Sequence, residues 1–184
     1  MRELARDLNL SPGNLTYHFP KKEDLVLALA KRLSNLNSQT IQISTSPNDI
    51  EQFLEMFRAI FRNQFQYRCL VLSLVHLIEH YPTFAAQYRQ AQIVRAGSFI
   101  EIFNNLQTTG FLRPTLTEGE LQRMASFCAL TGRFWLSDYW VAHKTNSLED
   151  MIGHYLALLA VFLLPFVTPS GQQQLAACLE DAPK

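Results

Sequence analysis

The sequence lacks several features that are typical of membrane, secreted and disulfide-stabilised proteins. Its three cysteines, Cys69, Cys128 and Cys178, are odd in number and widely spaced, which favours a reducing compartment over a disulfide framework. Its charged N-terminal stretch contains no apolar signal-peptide core. The most apolar run, residues 156–164, extends only to Val167, short of the roughly 20 residues that span a bilayer. We therefore expect a cytoplasmic protein with no membrane partner.

Net charge is also absent, because 16 lysines and arginines balance 16 aspartates and glutamates. A neutral protein does not bind nucleic acid over its whole surface, so any affinity for DNA has to be local. Basic residues outnumber acidic ones only weakly in the first 36 residues, where they are Arg2, Arg6, Lys21, Lys22, Lys31 and Arg32. We expect a modest salt dependence of binding from this excess.

Motifs for enzymatic chemistry are scarce. The chain has no phosphate-binding glycine loop, dinucleotide fingerprint or serine or cysteine nucleophile motif. We therefore expect no cofactor, no catalytic residue and no metal site, and interpret the chain as a non-enzyme.

One short motif supports a competing interpretation. Residues 76–80 match the H-x-x-E-H pattern, in which His76 and His80 would bind zinc and Glu79 would act as general base. The match is only five residues long, no third ligand is identifiable, and Pro82 ends the helix immediately afterwards. Histidines near a helix C-terminus also suit the helix dipole, so a capping role is the simpler explanation. A zinc peptidase remains the lesser alternative.

The pattern of apolar residues predicts an all-α fold of about nine or ten helices, since no alternating strand or hairpin pattern occurs. Ser46-Pro47-Asn48-Asp49 predicts a helix start, and the residues that follow it have a strongly aromatic face. Capping boxes at Thr117 to Glu120 and at Ser147 to Asp150 predict two further starts, and Gly110 predicts a helix end.

The N-terminal residues predict a helix-turn-helix. Ser11 is a good N-cap, Pro12 suits the first helical position, and Leu15 is placed to face inward. Pro20 pushes the residue before it out of the α region, so this helix has about two turns and ends near His18. A helix precedes it, and a leucine stripe at helical spacing follows it. Its outward side chains suit contact with base edges and phosphates: Asn14, Thr16, Tyr17 and His18.

These residues closely resemble the DNA-binding domain of the tetracycline-repressor (TetR) family of bacterial transcription regulators. The resemblance rests on residues 1–8, 10–15 and 17–25 and covers less than a fifth of the chain. It implies that residues 12–18 form the recognition helix. By the same resemblance, contacts with bases or phosphates are expected from Ser11, Gly13, Asn14, Tyr17 and His18, and a phosphate contact from Lys22. Thr16 is included among the DNA-binding candidates because its side chain also points outward.

The chain departs from the family pattern in two ways. The family usually has an aromatic residue at the position of Thr16, so one phosphate contact or the operator sequence is expected to differ. The family also has a complete helix before the position of Met1, and that helix closes the small core of the domain. Without such a helix, four side chains would lose a packing partner, and their exposure would cost about 1.5–3 kcal/mol each: Leu4, Leu8, Leu15 and Phe19.

The last two long helices predict a homodimer. Residues 117–143 and 147–166 are apolar on more than one side, and a chain of this size cannot bury both helices by itself. The simplest arrangement is a twofold four-helix bundle, which the family resemblance also implies. A twofold dimer would place two recognition helices about one duplex turn, or a multiple of it, apart on double-stranded operator DNA.

The middle helices carry many aromatic residues, most of which suit an ordinary core or interface. The family resemblance implies an effector pocket between these helices, and apolar walls with a few polar anchors suit a small apolar or aromatic effector. The candidate pocket residues are Phe61, Phe65, His76, Phe99, Phe103, Arg133, Trp135 and Tyr139.

The combined interpretation is a ligand-responsive transcriptional regulator, most simply a repressor that its effector releases from the operator. Residues 1–36 would form the DNA-binding domain, and residues 37–184 the domain for effector binding and dimerisation. A dimeric small-molecule binding module without DNA binding is the main alternative.

Overall fold

The computed structural model describes residues 1–43, 50–142 and 147–180, and these residues confirm the all-α fold. They form ten α-helices and a 3-10 turn at Leu164–Phe166. The helices are α1 (Arg2–Asp7), α2 (Pro12–His18), α3 (Lys22–Ile43), α4 (Ile50–Gln66), α5 (Arg68–Leu72), α6 (Leu74–His80), α7 (Pro82–Thr108), α8 (Glu118–Ala142), α9 (Leu148–Leu163) and α10 (Pro169–Glu180). The helix start predicted at Ser46-Pro47-Asn48-Asp49 and the predicted end at His143 lie outside the described residues.

The helix-turn-helix begins as the sequence predicts. Asn9 adopts a left-handed conformation with a φ of 53°, which turns the chain between α1 and α2. The Ser11 hydroxyl accepts a hydrogen bond of 3.0 Å from the backbone N–H of Asn14, and Pro12 occupies the first turn. The Asp24 carboxylate then caps α3 by accepting a 2.8 Å hydrogen bond from the backbone N–H of Lys21. The predicted helix over residues 12–18 is confirmed.

The main core forms around the aromatic face of α4. Phe53, Phe57 and Phe61 are almost fully buried, and the Phe57 ring stacks on Phe99 of α7 with 5.5 Å between centroids. The Phe61 ring lies 4.5 Å from Trp135 of α8. Helix α9 packs on the same helix, so α4 is the central element of the larger part of the molecule.

A second, smaller cluster surrounds the N-terminal half of α3. Val26 of α3 packs with Leu70 of α5, Leu74 and Leu77 of α6, and Phe84 of α7. Residues 69–80 read as one apolar segment in the sequence, but Ser73 divides them into α5 and α6. Both short helices contribute buried side chains to the cluster around Val26.

A short bridge connects the two long loops at one end of the molecule. Gly110 ends α7 with a φ of 81°, as predicted, and the following backbone meets the segment between α9 and α10. The N–H of Arg113 donates 2.9 Å to the carbonyl of Phe166, and the N–H of Thr168 donates 2.9 Å to the carbonyl of Phe111. The two hydrogen bonds fix the ends of α7 and α9 against each other.

The apolar segment at α9 is longer than the run in the sequence suggests. Leu148–Phe166 spans 19 residues and is long and apolar enough to cross a membrane by length and composition alone. Core helices of water-soluble proteins meet the same criterion, and α9 packs against α4, α8 and α10. Ser147 and Asp150 form the predicted capping box at its start. We interpret α9 as a packing helix.

Candidate functional site

The outward face of α2 presents polar and aromatic side chains to solvent. Tyr17 is 82% exposed, and its ring meets His18 edge-on with 5.2 Å between centroids. The Thr16 hydroxyl donates to the carbonyl of Pro12 at 2.8 Å, so it already has a partner within the helix. Leu15 faces inward and is 6% exposed. Each of the seven residues assigned to DNA contact is exposed: Ser11, Gly13, Asn14, Thr16, Tyr17, His18 and Lys22.

Lys22 is the first residue of α3, directly after the turn that follows α2. A cation at a helix N-terminus is opposed by the helix dipole. An anion held at this end would remove that conflict, and a phosphate of DNA is one such anion. The phosphate contact that the family resemblance implies for Lys22 stays a prediction.

A cavity of about 220 Å³ lies between α3, α4, α5, α6, α7 and α8. Its large apolar side chains come from α3, α4, α5, α6 and α7, and the smaller Cys128 and Ala129 of α8 also line it. The large ones include Ile41, Phe57, Ile60, Leu70, Leu74, Phe84 and Phe99. Pockets for drug-sized ligands are typically about 300–1,000 Å³, so this cavity suits a small ligand. The cavity lies where α3 packs against the rest of the helical body.

The other wall of the cavity is polar. Tyr88, Gln92 and Arg95 lie on one face of α7 because they are four and three residues apart, and Arg133 faces them from α8. The Arg133 guanidinium donates a hydrogen bond of 3.3 Å from Nη2 to the side-chain oxygen of Gln92. Burial lowers the pKa of Arg95, a hydrogen bond to Tyr88 opposes this change, and the neighbouring charge of Arg133 adds to it.

Gln64 links this cavity to α8. Its side-chain amide donates a hydrogen bond of 2.7 Å to the carbonyl of Gly132, and its side-chain oxygen accepts one from the indole N–H of Trp135. Gln64 and Gly132 both line the cavity, so the α4–α8 junction forms part of its wall.

The eight residues suggested for effector binding divide between the cavity and other sites. Phe99 and Arg133 line the cavity. Phe61, Phe103, Trp135 and Tyr139 are buried in the main core instead, and Phe65 packs against it. His76 is exposed on α6. Helical periodicity indicates which aromatic residues are buried, but it does not distinguish a cavity wall from a filled core.

The sequence interpretation did not single out three polar residues of the cavity, Tyr88, Gln92 and Arg95. A usable signal was present, because these residues interrupt the apolar face of α7 between Phe84 and Phe99 at helical spacing. Polar residues on a face that is otherwise apolar indicate a water-filled or ligand-binding space when no partner for them is evident.

The histidines of the H-x-x-E-H motif lie together on α6. The rings of His76 and His80 are 4.0 Å apart, and Nδ1 of His80 lies 2.9 Å from the backbone carbonyl of His76. Both residues are exposed. Within the described part of the chain, no group of three or more histidine, cysteine, aspartate or glutamate side chains is placed to hold a metal ion. Among the described residues, no third side chain is therefore placed to bind zinc together with His76 and His80.

An exposed apolar surface runs along α8 and α9. A groove of about 260 Å³ separates the two helices and is lined by Leu130, Phe134 and Leu158 among others. We define the α8/α9 face as the large exposed apolar side chains of these helices: Leu130, Phe134, Trp140, Val141, Leu158 and Val161. Several large exposed apolar side chains on two neighbouring helices are typical of an interaction surface.

The comparisons with known proteins agree with this architecture. The profile of the TetR family, described as a bacterial transcriptional repressor, matches residues 29–175. A solved TetR-family transcriptional regulator from Marinobacter aquaeolei VT8 has the same fold, with a TM-score of 0.86 and 22% sequence identity over 99% of this chain and 87% of that one. No curated protein matches the chain. The family match spans most of the sequence, and the protein therefore belongs to the TetR family of transcriptional regulators, which are not enzymes.

Proposed function

We propose that this regulator is a cytoplasmic homodimeric repressor that a small effector releases from its operator. Helix α2 would read double-stranded DNA through Ser11, Gly13, Asn14, Thr16, Tyr17 and His18, and Lys22 would hold a phosphate. The effector, small and largely apolar or aromatic, would occupy the cavity between α3 and α8. Residues 1–36 would form the DNA-binding domain, and residues 37–184 the effector-binding and dimerisation domain.

The course of α3 is the observation that carries this proposal. The helix begins at Lys22, directly after the recognition helix, and continues without a break to Ile43. Seven of its residues, from Ala30 to Ile41, line the cavity. A rigid helix that meets both sites transmits a tilt at the cavity to the position of α2. The proposed boundary between the two domains, after residue 36, falls inside α3, so α3 belongs to both domains and connects them.

The α8/α9 face supports the proposed homodimer. Leu158 and Val161 of α9 are 46% and 54% exposed, and Val141 of α8 is 89% exposed. Pairing this face with its twofold copy would cover these side chains in a four-helix bundle. The same symmetry would present two copies of α2 to a palindromic site.

Effector control has a defined energetic requirement. A ligand shifts the equilibrium between DNA-binding and released forms only by its difference in affinity for the two. A change from 1:99 to 99:1 requires about 5.5 kcal/mol of that difference. A cavity whose wall includes α3 can supply it, because a tilt of α3 changes the shape of the cavity.

A selection experiment with the full chain tests the proposal. Random DNA duplexes would be enriched by repeated binding and sequenced, and the affinity for the enriched site would be measured by gel shift. We expect the enriched site to be palindromic. We also expect a ligand of the cavity to release the protein from this site, and to do so only when the cavity is intact. Recovery of no preferred sequence, with a stable dimer that still binds small molecules, would favour a binding module that does not read DNA.

A further inference from the structure

The charges that line the cavity identify the kind of effector more closely. Three cationic residues line it, Lys31 on α3, Arg95 on α7 and Arg133 on α8. None of its described lining residues is an aspartate or a glutamate. Within the described residues, ion pairs form elsewhere and none includes Arg95 or Arg133. The cavity is therefore positively charged and has no internal counter-charge.

Two hydrogen-bond donors on the polar wall are also unsatisfied. Nε of Arg133 and the side-chain nitrogen of Gln92 are buried and have no hydrogen-bond partner among the described residues. A buried donor without a partner destabilises the folded protein, and more strongly when it is charged. Both atoms are donors, so the group that completes this site must be an acceptor.

The neighbouring guanidinium points to the same kind of ligand. Arg95 follows Gln92 by three residues on α7, and its charge and that of Arg133 are close enough to repel each other. An anion between the two would relieve the repulsion and would accept charge-assisted hydrogen bonds from both sides. A neutral ligand would leave the repulsion in place.

We propose that the effector of this regulator is a small amphipathic anion, with its carboxylate or equivalent acidic group bound by Arg95, Arg133 and Gln92 and its apolar part against the opposite wall. The apolar wall of Phe57, Phe84 and Phe99 with Ile60, Leu70 and Leu74 accepts an alkyl chain or an aromatic ring. This inference rests on the proposed effector function and specifies its ligand class.

Binding of matched ligands to the full chain tests the inference. Isothermal titration would compare octanoate, octanol and octylamine, which share a chain and differ in charge, and hydrocinnamate with hydrocinnamyl alcohol as the aromatic pair. We expect each anion to bind at least about tenfold more tightly than its alcohol, because charge-assisted hydrogen bonds are worth about that factor or more. Octylamine should bind most weakly.

Substitutions test whether the polar wall causes the preference for anions over alcohols. Arg95→Gln and Arg133→Gln should each remove the preference for the anion while octanol binding is retained. Arg89→Gln on α7 and Arg123→Gln on α8 are exposed, lie outside the cavity lining, and should keep the preference. Thermal unfolding gives a second readout: without ligand, the two cavity variants should be about as stable as the parent, since the half-buried cation that each loses has no ion-pair partner among the described residues. Stabilisation by octanoate should disappear in both.

The outcomes separate this inference from the proposed function. If octanol binds as tightly as octanoate, or if Arg95→Gln and Arg133→Gln keep the preference, the anion assignment is wrong and the effector cavity stands. If no probe of any charge binds, both the ligand class and the effector function of the cavity are wrong. Anion-selective binding that the two cavity variants lose supports both.

Discussion

Asn63 on α4 donates a hydrogen bond of 3.3 Å from its side-chain amide to the side-chain oxygen of Asn37 on α3. Asn37 is the buried polar residue of the described core and is only 4% exposed. The same nitrogen lies 3.4 Å from the hydroxyl of Thr40, also on α3. This small polar junction joins the helix that follows the recognition helix to the central helix of the body.

Substitution of Asn63 should destabilise the protein. Asn63→Ala removes the donor and leaves a buried oxygen of Asn37 unpaired, so we expect the free energy of unfolding to fall by about 1–3 kcal/mol. Urea unfolding measures this free energy. Asn104→Ala, at an exposed position of α7, should change stability by no more than about 0.5 kcal/mol. The double variant Asn37→Leu/Asn63→Leu should recover most of the loss, and equal effects of Asn63→Ala and Asn104→Ala would contradict the role of the junction.

Substitutions on α2 and α3 test the DNA-reading surface. Tyr17→Ala should weaken operator binding by about tenfold or more and relax the sequence preference, because an exposed aromatic residue on the recognition helix would be lost. Lys22→Ala should weaken binding to all sequences and reduce the slope of affinity against salt by about 1. Arg123→Ala on α8 is the control. Unchanged gel-shift affinity of Tyr17→Ala, with the dimer intact, would exclude α2 as the reading helix.

The sequence predicted most of the fold because the signals for it are local. Ser11 and Pro12 specify the start of α2 by hydrogen bonding and backbone shape, and Gly110 specifies the end of α7 through its positive φ. Such features act within a few residues, so they can be read without knowing what packs nearby. The division of residues 69–80 at Ser73 was missed, because no proline or glycine within them marks it.

The cavity was harder to predict because it is a property of packing between distant segments. Phe61 and Phe99 are both buried members of the main core, yet only Phe99 also lines the cavity. The difference arises from how α4, α7 and α8 are spaced. The anchors on α7, Gln92 and Arg95, were detectable only as polar interruptions of an apolar face.

A close backbone approach at α10 predicts a large effect from one methyl group. A Cβ atom on Gly171 would lie 2.6 Å from the carbonyl oxygen of Phe111, which the bridge to Thr168 holds in place. We expect Gly171→Ala to lower stability by about 1–3 kcal/mol in thermal unfolding. Gly97→Ala in α7 meets open space and should instead raise stability by about 0.5–1 kcal/mol. Changes of the same sign in both variants would rule out the packing argument.

The ion pair between Arg62 and Glu149 should make stability depend on acidity. Nε and Nη2 of Arg62 donate to the two carboxylate oxygens at 3.0 and 2.9 Å, and these bonds hold the pKa of Glu149 below its ordinary value of 4.5. A lowered carboxyl pKa stabilises the folded state above pH 4.5, and this contribution is lost as the pH falls through the folded-state pKa. Arg62→Gln should reduce that dependence, and Arg58, which lies 3.8 Å from the same carboxylate, should retain part of it.

The size of the effect is limited because both side chains are about half exposed to solvent. We expect the parent to exceed Arg62→Gln by less than about 1 kcal/mol at neutral pH. The difference should shrink as the pH is lowered through the acidic range, in urea titrations at a series of pH values. Arg89→Gln should track the parent throughout. A difference that is constant with pH would show that packing, and not charge, connects α4 to α9.

The proposed dimer makes a prediction that combines assembly with DNA binding. Leu158→Glu places a carboxylate on the α8/α9 face beside the groove, where burial against a twofold copy would leave it unpaired. Because a twofold interface contains the substitution twice, the penalty applies at two positions. Light scattering after size-exclusion chromatography should show a shift to monomer, and gel shifts on a palindromic site should weaken in parallel. Val75→Glu, at a comparably exposed apolar position on α6, should leave both unchanged. A Leu158→Glu protein that stays dimeric would place the interface on another face of the molecule.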